Sequence, residues 1–139
     1  MSSAGYNPLR WKCEQLGCFN KVARPKIEIF AECFPRRIAM GDMDGYVEIG
    51  GKFLIMEWKH TGHESLEEGQ RRAFDAFLRA PNRMFTILCI CGDAHRMQVS
   101  SAMYYAGIGS AWKPRDMEWC RRFISSWASW ADRRVYAAC

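Results

Sequence analysis

No two cysteines in this chain are spaced CxxC, and the seven present, at positions 13, 18, 33, 89, 91, 120 and 139, are odd in number. A secreted disulfide scaffold is therefore a poor fit, and reduced thiols in a cytosol are expected. No apolar run approaches the roughly 18 residues a membrane span needs. The stretch from Met1 to Arg10 lacks the apolar centre of a signal peptide. These absences imply a soluble, cytoplasmic protein that does not engage a membrane. Internal repeats and low-complexity stretches are missing too, so neither a solenoid nor a long linker is expected.

What is present suffices for one core. A length of 139 residues fits a single domain over 1–139. With 49% of residues apolar and 14% aromatic, the chain is not disordered by composition. A formal charge of +5 and a pI near 8.9 lean toward an anionic partner such as nucleic acid.

Helix and strand signals alternate along the chain. Asn7-Pro8 reads as an N-cap followed by proline, with Leu9, Cys13 and Leu16 at helical spacing. A second helix is expected to start at Pro25, with Ile27, Phe30, Ala31 and Phe34 as its apolar stripe, Glu28 at the stripe's border, and Pro35 as its stop. Asp42 to Ile49 and Lys52 to Lys59 read as two strands joined by Gly50-Gly51, since adjacent glycines accept the positive φ angles of a primed turn. Ser65-Leu66-Glu67-Glu68 fits a capping box that opens a helix to about Arg79. Its apolar face is Leu66, Ala73, Phe74, Phe77 and Leu78. Met84 to Cys91 reads as a buried strand, and Arg96 to Tyr105 as one or two more. A long helix from Asp116 to Arg134 carries Trp119, Phe123, Ile124, Trp127 and Ala131. The expected fold is α/β or α+β, with helices around a central mixed sheet and a helix at the C-terminus.

The hairpin brings charges together. With Gly50 and Gly51 in the turn, Asp44 falls opposite Glu57 and Asp42 opposite Lys59. Opposed residues share a face, with Cβ atoms about 4.5–5.5 Å apart. Two carboxylates so placed repel each other, and a hard divalent cation between them turns the repulsion into a site. Glu57 and Lys59, two apart on one strand, share that face as well. The other face, Met43, Val47, Ile49, Leu54, Met56 and Trp58, reads as core. A solvated surface hairpin is the plainer reading, but the apolar lead-in Phe53-Leu54-Ile55-Met56 suits an interior strand. Charges at the end of an interior strand point to function.

The order Gly41-x-x-Asp44, twelve intervening residues and Glu57-x-Lys59 resembles the PD-(D/E)XK nuclease superfamily, most of all its compact phage-encoded members related to the VRR-NUC group. Phe34-Pro35-Arg36-Arg37, Asp42-Met43-Asp44-Gly45, Phe53 to Lys59 and Gly69-Gln70 carry the likeness, which spans residues 27 to 74. Met43 stands where the motif has proline, which leaves Asp42 as a substitute ligand. The resemblance implies a restriction-endonuclease-like core and a Mg²⁺-dependent endonuclease, with Mn²⁺ an alternative ion, hydrolysing DNA during phage or bacterial DNA processing or recombination. In that family Asp44, Glu57 and the backbone carbonyl of Trp58 would hold the metal, Lys59 would position the attacking water, and Glu28 would be a further candidate ligand. The setting would be the cytoplasm of a bacterium or a phage-infected host.

Gln70 shares the apolar face of its helix with Leu66 and Phe74, and an amide there is costly unless bonded. It either reaches toward the metal site, as a glutamine does in related nucleases, or bonds backbone at the core edge. Arg71 and Arg72 flank it and, with Arg36, Arg37 and His60, are candidate nucleic-acid contacts. Arg121-Arg122 and Arg133-Arg134 read as solvated helix faces. The tryptophan stripe of the last helix could pack a core or a homodimer partner. Two other functions stay open: a catalytically silent binding module for DNA or protein, and a structural zinc or interaction protein using His60, His63 and cysteines.

Overall fold

The computed structural model describes residues 27–137, apart from the side chains of Glu28 and of residues 133–137. The first expected helix, at Asn7-Pro8, lies outside the described residues. The chain divides into two compact units, 1–40 and 41–139.

In the first unit, Ile27–Cys33 is a 3-10 helix and not the α-helix expected. The apolar stripe is not buried either: Phe30 and Phe34 are exposed. Two β-branched isoleucines and closely set prolines leave too little length for a stable α-helix.

The second unit is α+β, a five-stranded mixed sheet with two helices. Its strands are β1 (Gly45–Ile49), β2 (Lys52–His60), β3 (Phe85–Asp93), β4 (Gln98–Tyr105) and β5 (Lys113–Pro114), lying side by side in chain order. Helix α1 (Glu68–Leu78) connects β2 to β3, which pair in parallel, and α2 (Met117–Ala137) closes the unit. All other neighbouring strands are antiparallel. No described helix is long and apolar enough to cross a membrane.

The hairpin register is the one the Gly-Gly turn implies. Gly50 and Gly51 have φ of 58° and 81°, and Ile49 pairs with Lys52. Alternation along β2 and β3 then sorts side chains to two faces. Leu54, Leu88, Ile90 and Ala102 pack with Cys120, Trp127 and Ala131 of α2. Ile55, Ile87, Cys89, Met103 and Tyr105 pack with Phe74 of α1. Each strand of the centre is apolar on both faces because each face has its helix.

β1 departs from expectation. It begins at Gly45, not Asp42, and Met43 and Val47, expected in the core, are 50% and 42% exposed. An edge strand has one neighbour only, and here just Ile49 reaches the α2 core. In α1, Ala73 is likewise exposed, while Phe74 is buried. Gly92 allows a close approach of the β3 and β4 backbones. A Cβ there would lie 1.9 Å from the carbonyl oxygen of Gln98, at the bulge where β3 and β4 shift register.

Candidate active site

Glu57 and Lys59 lie near the C-terminal end of β2 on the face covered by α1, the parity they share with Ile55. Their strand partners on β3 are Cys89 and Cys91, both fully buried. Glu57 is thus a carboxylate on a core strand, only 8% exposed.

Gln70 is held over them by α1. One helical turn beyond it Phe74 is buried against Tyr105, with ring centroids 5.8 Å apart, and the Tyr105 hydroxyl donates to Asp75 Oδ1 at 2.6 Å. These contacts fix the helix on the sheet. Gln70 Nε2 donates to Glu57 Oε1 at 2.6 Å, and Gln70 Oε1 accepts from Lys59 Nζ at 2.8 Å. Lys59 Nζ itself lies 3.5 Å from Glu57 Oε1. The amide therefore uses its donor on the acid and its acceptor on the amine, the pairing a primary amide satisfies best. Among the described residues, no hydrogen bond reaches Glu57 Oε2.

The same glutamine explains the helix start. The expected cap at Ser65 is not used; Glu67 is the N-cap, and its N–H donates to Gln70 Oε1 at 3.3 Å. Gln70 sits three residues into the helix, where a side-chain acceptor can reach back to that orphan donor.

Asp44 does not face Glu57 across a ladder as expected, because β1 ends one residue short of it. Its carboxylate instead accepts the backbone N–H of Trp58 at 2.7 Å. In an unbroken ladder that N–H would meet the backbone of Met43; the carboxylate replaces it. A strand residue points its N–H and C=O to the same side, so the Trp58 carbonyl also faces the Asp44 edge. Asp42, expected opposite Lys59, lies outside the strand and is exposed. The Glu28 side chain lies outside the described set.

Burial pushes the Glu57 carboxyl above its usual range, and the negative charge of Asp44 pushes it the same way; the Gln70 amide and Lys59 act against them. Two acids are therefore close enough to feel each other, and the buried one is undercompensated. Burial, and then Glu57, pushes the neighbouring Cys89 thiol up to about 12.

The remaining candidates are more dispersed. Arg72 pairs with Glu68 at 2.9 Å on the exposed side of α1, and Arg71 is exposed beside it. Arg36 and Arg37 are exposed in the first unit. His60 ends β2, its carbonyl accepting the Cys91 thiol at 3.0 Å and the N–H of His63 at 2.9 Å. Among the described residues, no group of three His, Cys, Asp or Glu side chains is placed to hold a metal ion, so His60 and His63 assemble no zinc centre with Cys33, Cys89, Cys91 or Cys120; Cys13, Cys18 and Cys139 lie outside the described residues. Sequence reasoning missed Glu64, whose carboxylate accepts the Ser101 hydroxyl at 3.4 Å. Only the pairing of Ser101 with Cys91 brings it near the strand ends, and no local signal marks it.

No family model matches the chain, and no curated protein or solved structure matches it.

Proposed function

We propose that the chain is a divalent-metal-dependent nuclease hydrolysing phosphodiester bonds of DNA on a restriction-endonuclease-like core. The observation that carries this reading is one constellation around a buried acid: half-buried Gln70 bridges Glu57 and Lys59, and exposed Asp44 is seated at the peptide between them. Two carboxylates and the Trp58 carbonyl offer three oxygens of the hard type Mg²⁺ or Mn²⁺ prefers, and water would complete the shell. The raised proton affinity of Glu57 supports the fit, since a cation removes the electrostatic cost that Asp44 and burial impose.

When bound, such an ion polarises the phosphoryl oxygen and lowers the pKa of water. The chain's own residues do the rest. Glu57 must be ionised to contribute, so ion binding strengthens as pH rises. Lys59 stabilises negative charge growing on the phosphate and orients the attacking water. Gln70 holds the Lys59 amine and the Glu57 carboxylate in fixed relation, which lessens the reorganisation left for the reaction itself.

A second reading has one observation in its favour. Gln70 and Lys59 both contact Glu57 Oε1 from within the chain, a polar network that a catalytically silent binding module on the same core would also keep. Incubating DNA with the wild type, Glu57→Ala and Lys59→Ala, in Mg²⁺, Mn²⁺ or EDTA, separates the two. The nuclease reading expects metal-dependent cutting by the wild type, lowered roughly 100-fold or more in each variant. Negligible cutting by all three proteins in every condition overturns it.

A further inference from the structure

A groove of about 720 Å³ lies away from Glu57, on the face of the sheet covered by α2. A second cavity of about 420 Å³ adjoins it, sharing Trp119 and Arg122 as walls. Along this groove the rings form a continuous ladder. The Arg115 guanidinium lies 4.9 Å from the Trp119 ring, Trp119 stacks on Phe123 at 5.4 Å, and Phe123 meets Tyr104 at 5.4 Å. Trp119 and Phe123, four residues apart, share one face of α2, and Arg115 reaches Trp119 from just before the helix begins. Tyr104, from β4, closes the ladder and is 53% exposed.

The charge beside these rings is nearly all of one sign. Arg83, Arg115 and Arg122 line the two cavities against one acid, Asp116. That acid is engaged, accepting the N–H of Trp119 at 2.8 Å as the helix begins. The indole N–H of Trp127, in the wall of the larger cavity, finds no acceptor among the described residues.

We propose that this groove is a binding platform for single-stranded nucleic acid, separate from the hydrolytic site and independent of the reading given to it. Tyr104, the exposed ring at the end of the ladder, offers a π-face to an unpaired base, and the arginines along the groove meet the phosphates. Duplex bases are already stacked on one another and cannot use it. A second copy of the chain would bring arginines against arginines, and an apolar helix would leave them without counter-charge. The occupant that matches both features alternates planar rings with negative charges.

The test is fluorescence anisotropy of the full chain in EDTA with a labelled single-stranded DNA, the same sequence as RNA, and the DNA duplex, with tryptophan emission recorded alongside. Single strands of either polymer should bind more tightly than duplex and quench tryptophan. Tyr104→Ala should weaken single-strand binding roughly 5- to 100-fold, and Tyr104→Trp should retain it. Arg122→Glu should weaken it and flatten its salt dependence. The proposal is overturned if duplex binds as well as single strands, or if no oligonucleotide binds. It is overturned equally if Tyr104→Ala and Arg122→Glu, shown folded by circular dichroism, leave affinity within about two-fold. A dimer in sedimentation that Tyr104→Ala dissociates also overturns it, by assigning the face to self-association. None of these readouts depends on cleavage, so the nuclease reading stands or falls separately.

Discussion

Replacing Glu57 by glutamine changes charge at nearly constant shape, and the site fixes the direction of the result. The amide keeps an oxygen to accept from Gln70 Nε2, so the 2.6 Å contact has a successor. What disappears is a carboxylate that burial and Asp44 hold above its ordinary proton affinity. A raised folded-state pKa contributes stability that is fully present below the unfolded value, about 4.3 for glutamate, and is lost as pH rises through the folded value. Near neutral pH and without divalent ions, ionised Glu57 therefore weakens the fold, and Glu57→Gln should melt higher than the wild type. Lowering the pH toward 5 should shrink that gap. Divalent ions act in the opposite direction. For a dissociation constant on the order of 1 mM, about 10 mM Mg²⁺ stabilises the wild type by about 1.4 kcal/mol, or roughly 3–5 °C in a domain of this size. The variant should gain none of it. Differential scanning fluorimetry in EDTA and in Mg²⁺, at two pH values, measures all four quantities. A variant that melts below the wild type in EDTA at neutral pH would refute the account of Glu57. Equal Mg²⁺ gains in both proteins would remove it from the ion site.

Asp44→Asn should retain the bond to the Trp58 N–H while losing the Mg²⁺ response. Asp44→Ala should also lose about 1–2 kcal/mol in urea unfolding, because a charge-assisted bond to the edge goes with it. Gly92→Ala should cost at least about 3 kcal/mol, since the new Cβ meets backbone and no flexible side chain can yield. A melting temperature within a degree or two of wild type would contradict the register at that bulge. Native Cys89, buried and with its thiol pushed up to about 12, should resist a thiol reagent at mildly alkaline pH and react only after denaturation. Exposed Cys33 should react at once.

Local signals carried much of this molecule. The Gly-Gly turn fixed the β1–β2 register, because two adjacent positive φ angles leave little choice of loop and a period of two then assigns every side chain to a face. The same period of two puts Glu57 and Lys59 on one face of β2. The apolar run at Met84 to Cys91 and the tryptophan stripe of the last helix read correctly as β3 and α2. Asp44 was legible as a neighbour of Glu57 but not as the residue that leaves the ladder and seats its carboxylate on a peptide N–H. That choice depends on where an edge strand stops, which no residue type dictates.

Gln70 shows the boundary most plainly. The sequence determined that an amide lies on the apolar side of a helix and needs a partner; helical period and the cost of burying polar atoms suffice for that. Only the tertiary structure decided that the partners are Glu57 and Lys59, because the parallel pairing of β2 with β3 and the packing of Phe74 on Tyr105 set where α1 crosses the sheet. The aromatic groove on the other face has the same origin. Each ring was visible in the chain, but their alignment with Tyr104 depends on a helix meeting a strand, a contact between segments that local propensities do not encode.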